Sequence, residues 1–532
     1  MFHSSASTAK SETLAEVTKV EKQVNKNKKN KWLIFAVVLV FLQVVASIVA
    51  IGEVYLLNML PGTLFAVVVG CFAFLLLLDG LLLCLKGRKG KLLYVRRGVG
   101  TFICISMIAA GGMMAFYVGS LNRTVSAIST DSKVSNVIAI YVQAEDEAKG
   151  IRLVDNYTFG ITEEYDYDNT KKTLEAVETL LGKAVKTSSY KSVDDMVDAL
   201  YRKEVGAIVL NKAYVSLLTE EEKYANFEEQ MRVLYEYEIV EEKEEPEKKL
   251  QPVQTVEEGI TEKPFMIYVS GSDTRSLSLQ TSRSDVNLIA AVNPKSKQVL
   301  LINTPRDYYI NTAKAPGQMD KLTHCGIYGI DCSMATLGDL YQEQIDYYMQ
   351  INFEGFREFT TAIGGVTVYN EKSFVSYKDN YSYPVGQVLL SGDYALSYVR
   401  ERKSFADGDN QRGRNQMKVV KAIIEKLRNS NTLLTNYTDI LASLEGMFVT
   451  NMTSTEMSEL VKMQLSDMAE WNVNSYSVNG TGASRTTYTI PSKRSYVTVP
   501  DMATVAKAQE LIDKLYAGET LTEADLELTT RN

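Results

Sequence analysis

The chain has 532 residues, with 57 Lys and Arg against 65 Asp and Glu and a formal charge of −8. That length exceeds what a single hydrophobic core usually organises, so two or more folded units are expected beside any membrane part. The acidic balance excludes a generic basic surface for nucleic acid, and no nucleic-acid partner is expected, but it leaves room for a local anion site.

Three apolar runs come first, from Trp32 to Leu57, Leu60 to Leu85 and Gly98 to Ser120. Each is long enough to cross a hydrocarbon core of about 30 Å as a helix. A polar tail precedes the first run and two more runs follow it, which argues against a cleaved signal peptide. Lys22, Lys26, Lys28, Lys29 and Lys31 stand before the first run, and Lys86, Arg88, Lys89, Lys91, Arg96 and Arg97 between the second and third. Basic segments stay on the cytoplasmic side, so residues 1–31 read as a cytoplasmic tail, 32–120 as three transmembrane helices and 86–97 as a cytoplasmic loop. The connection from Glu53 to Thr63 has no Lys or Arg and suits an outer loop. An odd number of spans then leaves about 410 residues outside the cell membrane. Cys71, Cys84 and Cys104 fall in the apolar runs as small apolar residues; Cys325 and Cys332 lie outside, where a disulfide is chemically allowed but two cysteines make no framework.

After the third span, strand patterns at Ile138 to Val142, Tyr157 to Ile161 and Gly206 to Asn211 alternate with helical patterns at Asn169 to Leu181 and Ser192 to Lys203. Residues 121–240 are therefore expected to form a small α/β accessory domain. The Glu/Lys-rich stretch 241–263, with Pro246 and Pro252, has the composition of a solvated linker. Residues 264–428 follow as a second α/β domain with mixed strand pairing: a strand from Phe265 to Val269, then Asp285 to Val292 and Gln298 to Thr304 joined as a hairpin through Asn293 to Lys297. Residues 429–532 read as an α-rich extension packed on that domain, with a final helix over Met502 to Tyr516.

Hairpin geometry places Asp285 opposite Pro305 and Arg306. Asp273 ends the preceding strand, so its loop, with Arg275 and Arg283, returns to the same sheet edge. A second cluster runs from Tyr398 to Gln416. Read as a strand, it puts Arg400 and Arg402 on one face, with Glu401 on the other. After Asp407-Gly408-Asp409, Arg412, Gln416, Val419 and Ile423 follow a helical stripe that is polar at its top. These residues suit an internal salt-bridge network with Asp273, Asp285 and Asp409, or an anionic ligand. Arginine excess favours the ligand, because arginine forks match phosphate oxygens. Mg²⁺ is commonly held by one or two Asp together with substrate phosphates, and the combination describes phosphoryl transfer. His324, one of only two histidines, is a weaker candidate base. Phe353, Phe356, Phe359 and Ile363 follow helical spacing and read by default as a core stripe.

The succession Ser270-Gly271-Ser272-Asp273, Arg283-Ser284-Asp285, Pro305-Arg306-Asp307, Lys321-Leu322-Thr323-His324, Arg400-Glu401-Arg402, Asp409, Arg412 and Gln416 resembles the LytR-CpsA-Psr (LCP) family. The resemblance covers about Phe265 to Leu427, and the three spans with the intervening small domain look like the CpsA subgroup associated with streptococcal-type capsule synthesis. It implies three transmembrane helices followed by extracytoplasmic α/β domains, with an LCP-like α/β sandwich and mixed sheet as the catalytic domain. The implied activity is Mg²⁺-dependent transfer of a polyprenyl-pyrophosphate-linked glycopolymer, capsular polysaccharide by this subgroup, to a peptidoglycan acceptor. Hydrolysis of the lipid pyrophosphate and a membrane regulator of polysaccharide synthesis are the alternatives, and capsule-synthesis proteins are implied partners. Carried over residue by residue, Asp273 and Asp285 would hold the metal, and Arg283, Arg306, Arg400, Arg402, Arg412 and Gln416 the pyrophosphate. Arg306, Asp409, Arg400 and Arg402 would be catalytic, with Asp409 orienting groups or acting as base. The helix bearing Phe353, Phe356, Phe359 and Ile363 would wall the lipid groove. Tyr308, Tyr309 and Ile310 depart from the family, where a further arginine often follows Pro-Arg-Asp; Cys325 replaces a more usual small residue.

Overall fold

A computed structural model of the chain describes residues 5–85, 90–130, 135–163, 166–219, 221–240, 259–272, 281–428, 440 and 448–527. It divides into two units, 1–123 with 457–468, and 124–456 with 469–532.

The first unit carries α1 (Ser5–Leu57), α2 (Gly62–Cys84) and α3 (Lys91–Thr130). Lys31–Leu57, Gly62–Cys84 and Lys91–Val125 are long and apolar enough to cross a membrane. Their outward surface is Leu, Val, Ile and Phe, exposed as in Phe41, Ile48, Phe74 and Phe102, which suits lipid rather than water. Gln43 Nε2 donates to Asp79 Oδ2 (3.0 Å), and Cys104 Sγ lies 3.1 Å from Gln43 Oε1, as expected where no water is at hand.

The second unit begins with β1 (Ser135–Gln143), β2 (Thr158–Thr162), α4 (Tyr167–Leu181), β3 (Lys186–Tyr190), α5 (Val193–Tyr201), β4 (Ala207–Asn211), α6 (Val215–Leu218), α7 (Phe227–Gln230) and β5 (Met231–Val240). The strands pair in the order β3-β2-β4-β1-β5. Every residue of β4 is buried because both faces of this sheet are covered. Ala207 and Val209 enter one apolar cluster with Phe159 and Val177, while Ile208 and Leu210 enter another with Met196, Leu200 and Phe227. Ser192 caps α5 by accepting from the Asp195 N–H (3.1 Å).

The larger sheet contains β6 (Phe265–Ser272), β7 (Ser284–Asn293) and β8 (Gln298–Asn303). A short ladder of β9 (Tyr309–Asn311) and β10 (Met319–Lys321) leads into α8 (Leu322–Cys325) and α9 (Ile330–Tyr341). Next come β11 (Tyr347–Asn352), α10 (Phe353–Ala362), β12 (Val366–Asn370), β13 (Phe374–Val375), β14 (Ser382–Tyr383), β15 (Gly386–Leu390), α11 (Gly392–Arg400) and α12 (Gly408–Arg428). The chain ends with β16 (Phe448–Thr450), the helix Ser454–Asp467, β17 (Asn472–Ser477), β18 (Gly480–Arg485), β19 (Ser495–Pro500) and the helix Met502–Tyr516.

Strand order in the main sheet is β16-β11-β6-β7-β8-β17. The β6–β7–β8 meander is antiparallel, whereas β11 and β17 run parallel to their neighbours β6 and β8. Alternation sends Met266, Tyr268, Ile289, Ala291, Leu300 and Ile302 to one face, where Leu337 and Tyr341 of α9 and Val505, Ala508, Leu511 and Leu515 of the helix Met502–Tyr516 close the core. On the other face α12 packs along β7, β8 and β17. The domain is thus built in three layers, with the mixed sheet in the middle.

Two expectations are corrected. The region after Asn429 is not simply an α-rich extension: β16 and β17 form the two edges of the main sheet, and β18 pairs with β19. β17 and β18 are polar outside a few positions such as Val473 and Tyr476, so they lack the apolar alternation that marks a strand, and β16 is only three residues long. Secondly, Tyr398 to Arg402 is not a strand. Ala395, Tyr398 and Val399 are buried at helical spacing on α11, which ends at Arg400.

Candidate active site

The β7–β8 hairpin has the register Leu288↔Asn303, and continuing the pairing by three residues brings Asp285 opposite Arg306. Their side chains meet there, with Arg306 Nη1 2.6 Å from Asp285 Oδ1. Beneath them lies a buried hydroxyl network. Tyr268 Oη donates to Asn287 Oδ1 (2.7 Å) and lies 2.8 Å from Ser284 Oγ, which is itself 2.9 Å from Ser270 Oγ. The serines of the two Ser-rich motifs therefore hold the sheet edge that carries Arg283 and Asp285. Asp273 and Arg275, expected at the same edge, lie outside the described residues.

α12 supplies the second part. Asp409 forms an ion pair with Arg412 one turn on, and its other oxygen accepts the Arg306 backbone N–H (3.3 Å). Gln416 Nε2 donates to the Val399 carbonyl (3.1 Å), tying α12 to α11 just before Arg400. Arg412 and Gln416 are each 6% exposed, and Val419 below them is 1% exposed. The close approach of α12 to the sheet depends on Gly413: a Cβ there would overlap the side-chain amide of Asn303. Arg400 lies over the Phe353 ring, 4.3 Å from its centroid, a cation–π contact that fixes the guanidinium plane.

Arg283, Asp285, Arg306, Arg400, Arg402, Arg412 and Gln416 line one cavity of about 1040 Å³. Burial by itself would raise the Asp285 pKa, but Arg306, Arg412 and Arg283 more than reverse this and hold the carboxyl well below the usual range. Asp285 is therefore ionised at neutral pH. The pKa of Arg402 is lowered from the ordinary arginine value by its crowded, partly dehydrated setting and by Arg306 and Arg412, although the side chain keeps open surface at the cavity. Three mutually repelling guanidiniums around a single space stabilise a polyanion placed among them.

The remaining expected residues separate by position. Phe353 lines the cavity; Phe356 and Phe359 pack against, and Ile363 lies wholly within, the apolar cluster beneath α10, α11 and α12. His324 is 1% exposed, outside the cavity, with Nδ1 2.6 Å from Asp320 Oδ1. Asp320 also accepts from the Lys321 and Thr489 N–H groups, so the pair ties α8 to the Thr489 segment. Tyr308 and Tyr309 donate to the Asn479 (2.6 Å) and Thr486 (2.9 Å) carbonyls. They pack the 479–487 segment and supply no phosphate contact. Cys325 and Cys332 are free thiols.

Sequence reasoning missed the opposite wall. Lys212, Ala213, Val215, Ser216, Thr219 and Glu228 of the accessory domain, with Lys378, line the same cavity. No periodicity or local motif marks them, because their role depends on how two separate sheets dock.

The LytR_cpsA_psr family model matches residues 231–504, just over half of the chain. The chain belongs to the LytR-CpsA-Psr family. Its similar LCP relatives include the polyisoprenyl-teichoic acid–peptidoglycan teichoic acid transferase TagU of Bacillus cereus (strain ZK / E33L), 33% identical over 200 residues, 37% of this chain and 64% of that protein. TagU of Enterococcus faecalis (strain ATCC 700802 / V583) is 32% identical over 199 residues, again 37% and 64%. The chain thus spans just under two thirds of these relatives' length. Among solved structures, B. subtilis TagV is 24% identical over 49% of this chain and 99% of that one (TM-score 0.41), and TagT bound to LI-WTA is 23% identical over 50% and 96% (TM-score 0.40). Three apolar helices followed by a mixed α/β domain of the LCP type is the architecture of the chain.

Proposed function

We propose that this protein transfers a polyprenyl-pyrophosphate-linked glycopolymer, capsular polysaccharide in particular, to peptidoglycan on the outer face of the cell membrane. The observation that carries the reading is the cavity in which Arg283, Arg306, Arg400, Arg402 and Arg412 surround the ionised Asp285. The arginine forks take the pyrophosphate oxygens bidentately. An acceptor sugar hydroxyl attacks the glycan-bearing phosphorus; a new O–P bond forms, the bond to the lipid phosphate breaks, and the acceptor proton ends on the leaving polyprenyl phosphate. Arg306, Arg400 and Arg402 offset the charge that grows on that leaving group. Asp409 fixes Arg412 and the Arg306 backbone, which keeps both on the phosphates. Phe353, under Arg400 and at the cavity, is where the wall for the prenyl chain would begin.

Mg²⁺ suits this donor set, because it binds through one or two carboxylates when substrate phosphates complete its shell, and Asp285 is charged and in the cavity. In our reading Asp285, with Asp273, would hold it, and the ion when bound would offset phosphate charge. The basic residues flanking the spans support a cytoplasmic N-terminus and an external catalytic domain.

The test is full-length protein in lipid nanodiscs, given lipid-linked glycan, Mg²⁺ and peptidoglycan. Covalent attachment of glycan with release of polyprenyl phosphate is expected. Release of soluble phospho-glycan without attachment would instead make the protein a hydrolase, and unaltered attachment by Arg400→Ala would remove the assigned site.

A further inference from the structure

The accessory domain is fastened to the catalytic domain at several points. Ile327, which follows α8, is buried within the accessory cluster of Met196, Leu200, Tyr214 and Phe227, and Ile490 packs against it. The Thr281 N–H donates to the Ser135 carbonyl (3.1 Å), joining the start of β1 to the Arg283 loop, and Lys493 forms an ion pair with Glu221. Shared apolar burial and backbone bonding make α6 a fixed wall over the arginines rather than a hanging appendage.

That wall has the opposite hydrogen-bonding character to the arginine side. The Ser216 hydroxyl donates its proton to the Ala213 carbonyl and Thr219 to the Val215 carbonyl, each at 3.1 Å, so each of these cavity-lining hydroxyls has its proton committed to the backbone and offers acceptor lone pairs. Glu228 adds a carboxylate, an acceptor when ionised. Lys212 is a donor, but its ammonium is held by Glu236 at 2.8 Å. Lys378 adds a second ammonium to the lining, so the acceptors form a patch of Ser216, Thr219 and Glu228, which matches the donors of sugar hydroxyls better than phosphate oxygens. The two walls therefore sort one ligand by its parts, pyrophosphate to the arginines and pyranose to α6 and α7.

Resting on the phosphotransfer reading above, we infer that Ser216, Thr219 and Glu228 form a subsite for the first, hydroxyl-bearing sugar attached to the pyrophosphate, so that the accessory domain sets which glycan the enzyme accepts. The experiment measures binding to the full-length protein in nanodiscs of geranyl pyrophosphate, free or bearing glucose, galactose or N-acetylglucosamine on its distal phosphate. Wild type should bind at least one sugar-bearing probe more tightly than the free one. Ser216→Ala with Glu228→Gln should weaken that probe about tenfold, for one hydrogen bond lost and one stripped of its charge, and leave geranyl pyrophosphate unchanged, which also shows that the variant is folded. Arg400→Ala should weaken every probe. Equal effects of Ser216→Ala/Glu228→Gln on sugar-bearing and free probes, or no preference of wild type for any sugar, overturns the subsite. Unchanged binding of all probes by Arg400→Ala would overturn the phosphate site instead.

Discussion

Arg306→Ala removes a guanidinium whose Nη1 lies 2.6 Å from Asp285 Oδ1, in a pair whose side chains are 7% and 17% exposed. Deleting one member of so dehydrated a pair strands the other charge, at a typical cost of roughly 3–5 kcal/mol. Arg412 and Arg283 also act on Asp285, which places the expected loss at the low end, about 3 kcal/mol. A 150–250-residue domain shifts by about 2–4 °C per kcal/mol, so thermal unfolding followed by tyrosine fluorescence should move down by roughly 6–12 °C. Adding Asp285→Ala removes the stranded carboxylate. The double variant should recover most of the midpoint but none of the glycan transfer, because the arginines are assigned to the substrate as well as to Asp285. Recovery of transfer together with stability would refute that assignment, since the pair would then serve the fold alone. Acid gives an independent check. The folded-state pKa of Asp285 is depressed, so its contribution is complete above the ordinary carboxylate value, about 4, and is lost as pH falls through the lower native value. The midpoint gap between wild type and Asp285→Asn should therefore shrink on acidification below about pH 4.

Phe353→Ala takes away the ring under Arg400 and should weaken pyrophosphate binding about three- to tenfold, as a cation–π contact of ~0.5–1 kcal/mol plus lost orientation predicts, with near-normal circular dichroism. His324→Gln should lower the unfolding midpoint while leaving transfer per folded molecule close to wild type; a collapse of turnover at full stability would instead make His324 a chemical group. Gly413→Ala should force α12 off Asn303, destabilise the fold by about 1–3 kcal/mol and cut transfer disproportionately, because Arg412 and Gln416 ride on the same turn.

Legibility followed the range of the interactions. The meeting of Asp285 with Arg306 is arithmetic on one hairpin, and the Arg412-Gln416-Val419 stripe is arithmetic on one helix; both follow from local geometry. Tyr398-Val399-Arg400-Glu401-Arg402 reads as a strand over five residues, while the longer Ala395-Tyr398-Val399 spacing is helical and puts Arg400 at the end of α11 with Arg402 just beyond it. A wider window carries that signal. The α6 wall had no such signal, for its nearest catalytic neighbours in sequence lie beyond β5 and the 241–258 stretch. Nor did β16 and β17, whose pairing is decided by edges already built.

Those two strands have a consequence for how the protein is made. Both flanks of the catalytic sheet are supplied by residues beyond 440, β16 beside β11 and β17 beside β8. A chain emerging from its N-terminal end therefore presents this sheet with β11 bare until Thr450 and β8 bare until Ser477, and unpaired strand edges invite mispairing. Every residue that lines the cavity precedes residue 417, yet the sheet beneath it gains its second flank only with β17, so a chain cut before Asn472 would carry the whole site on an open-edged sheet.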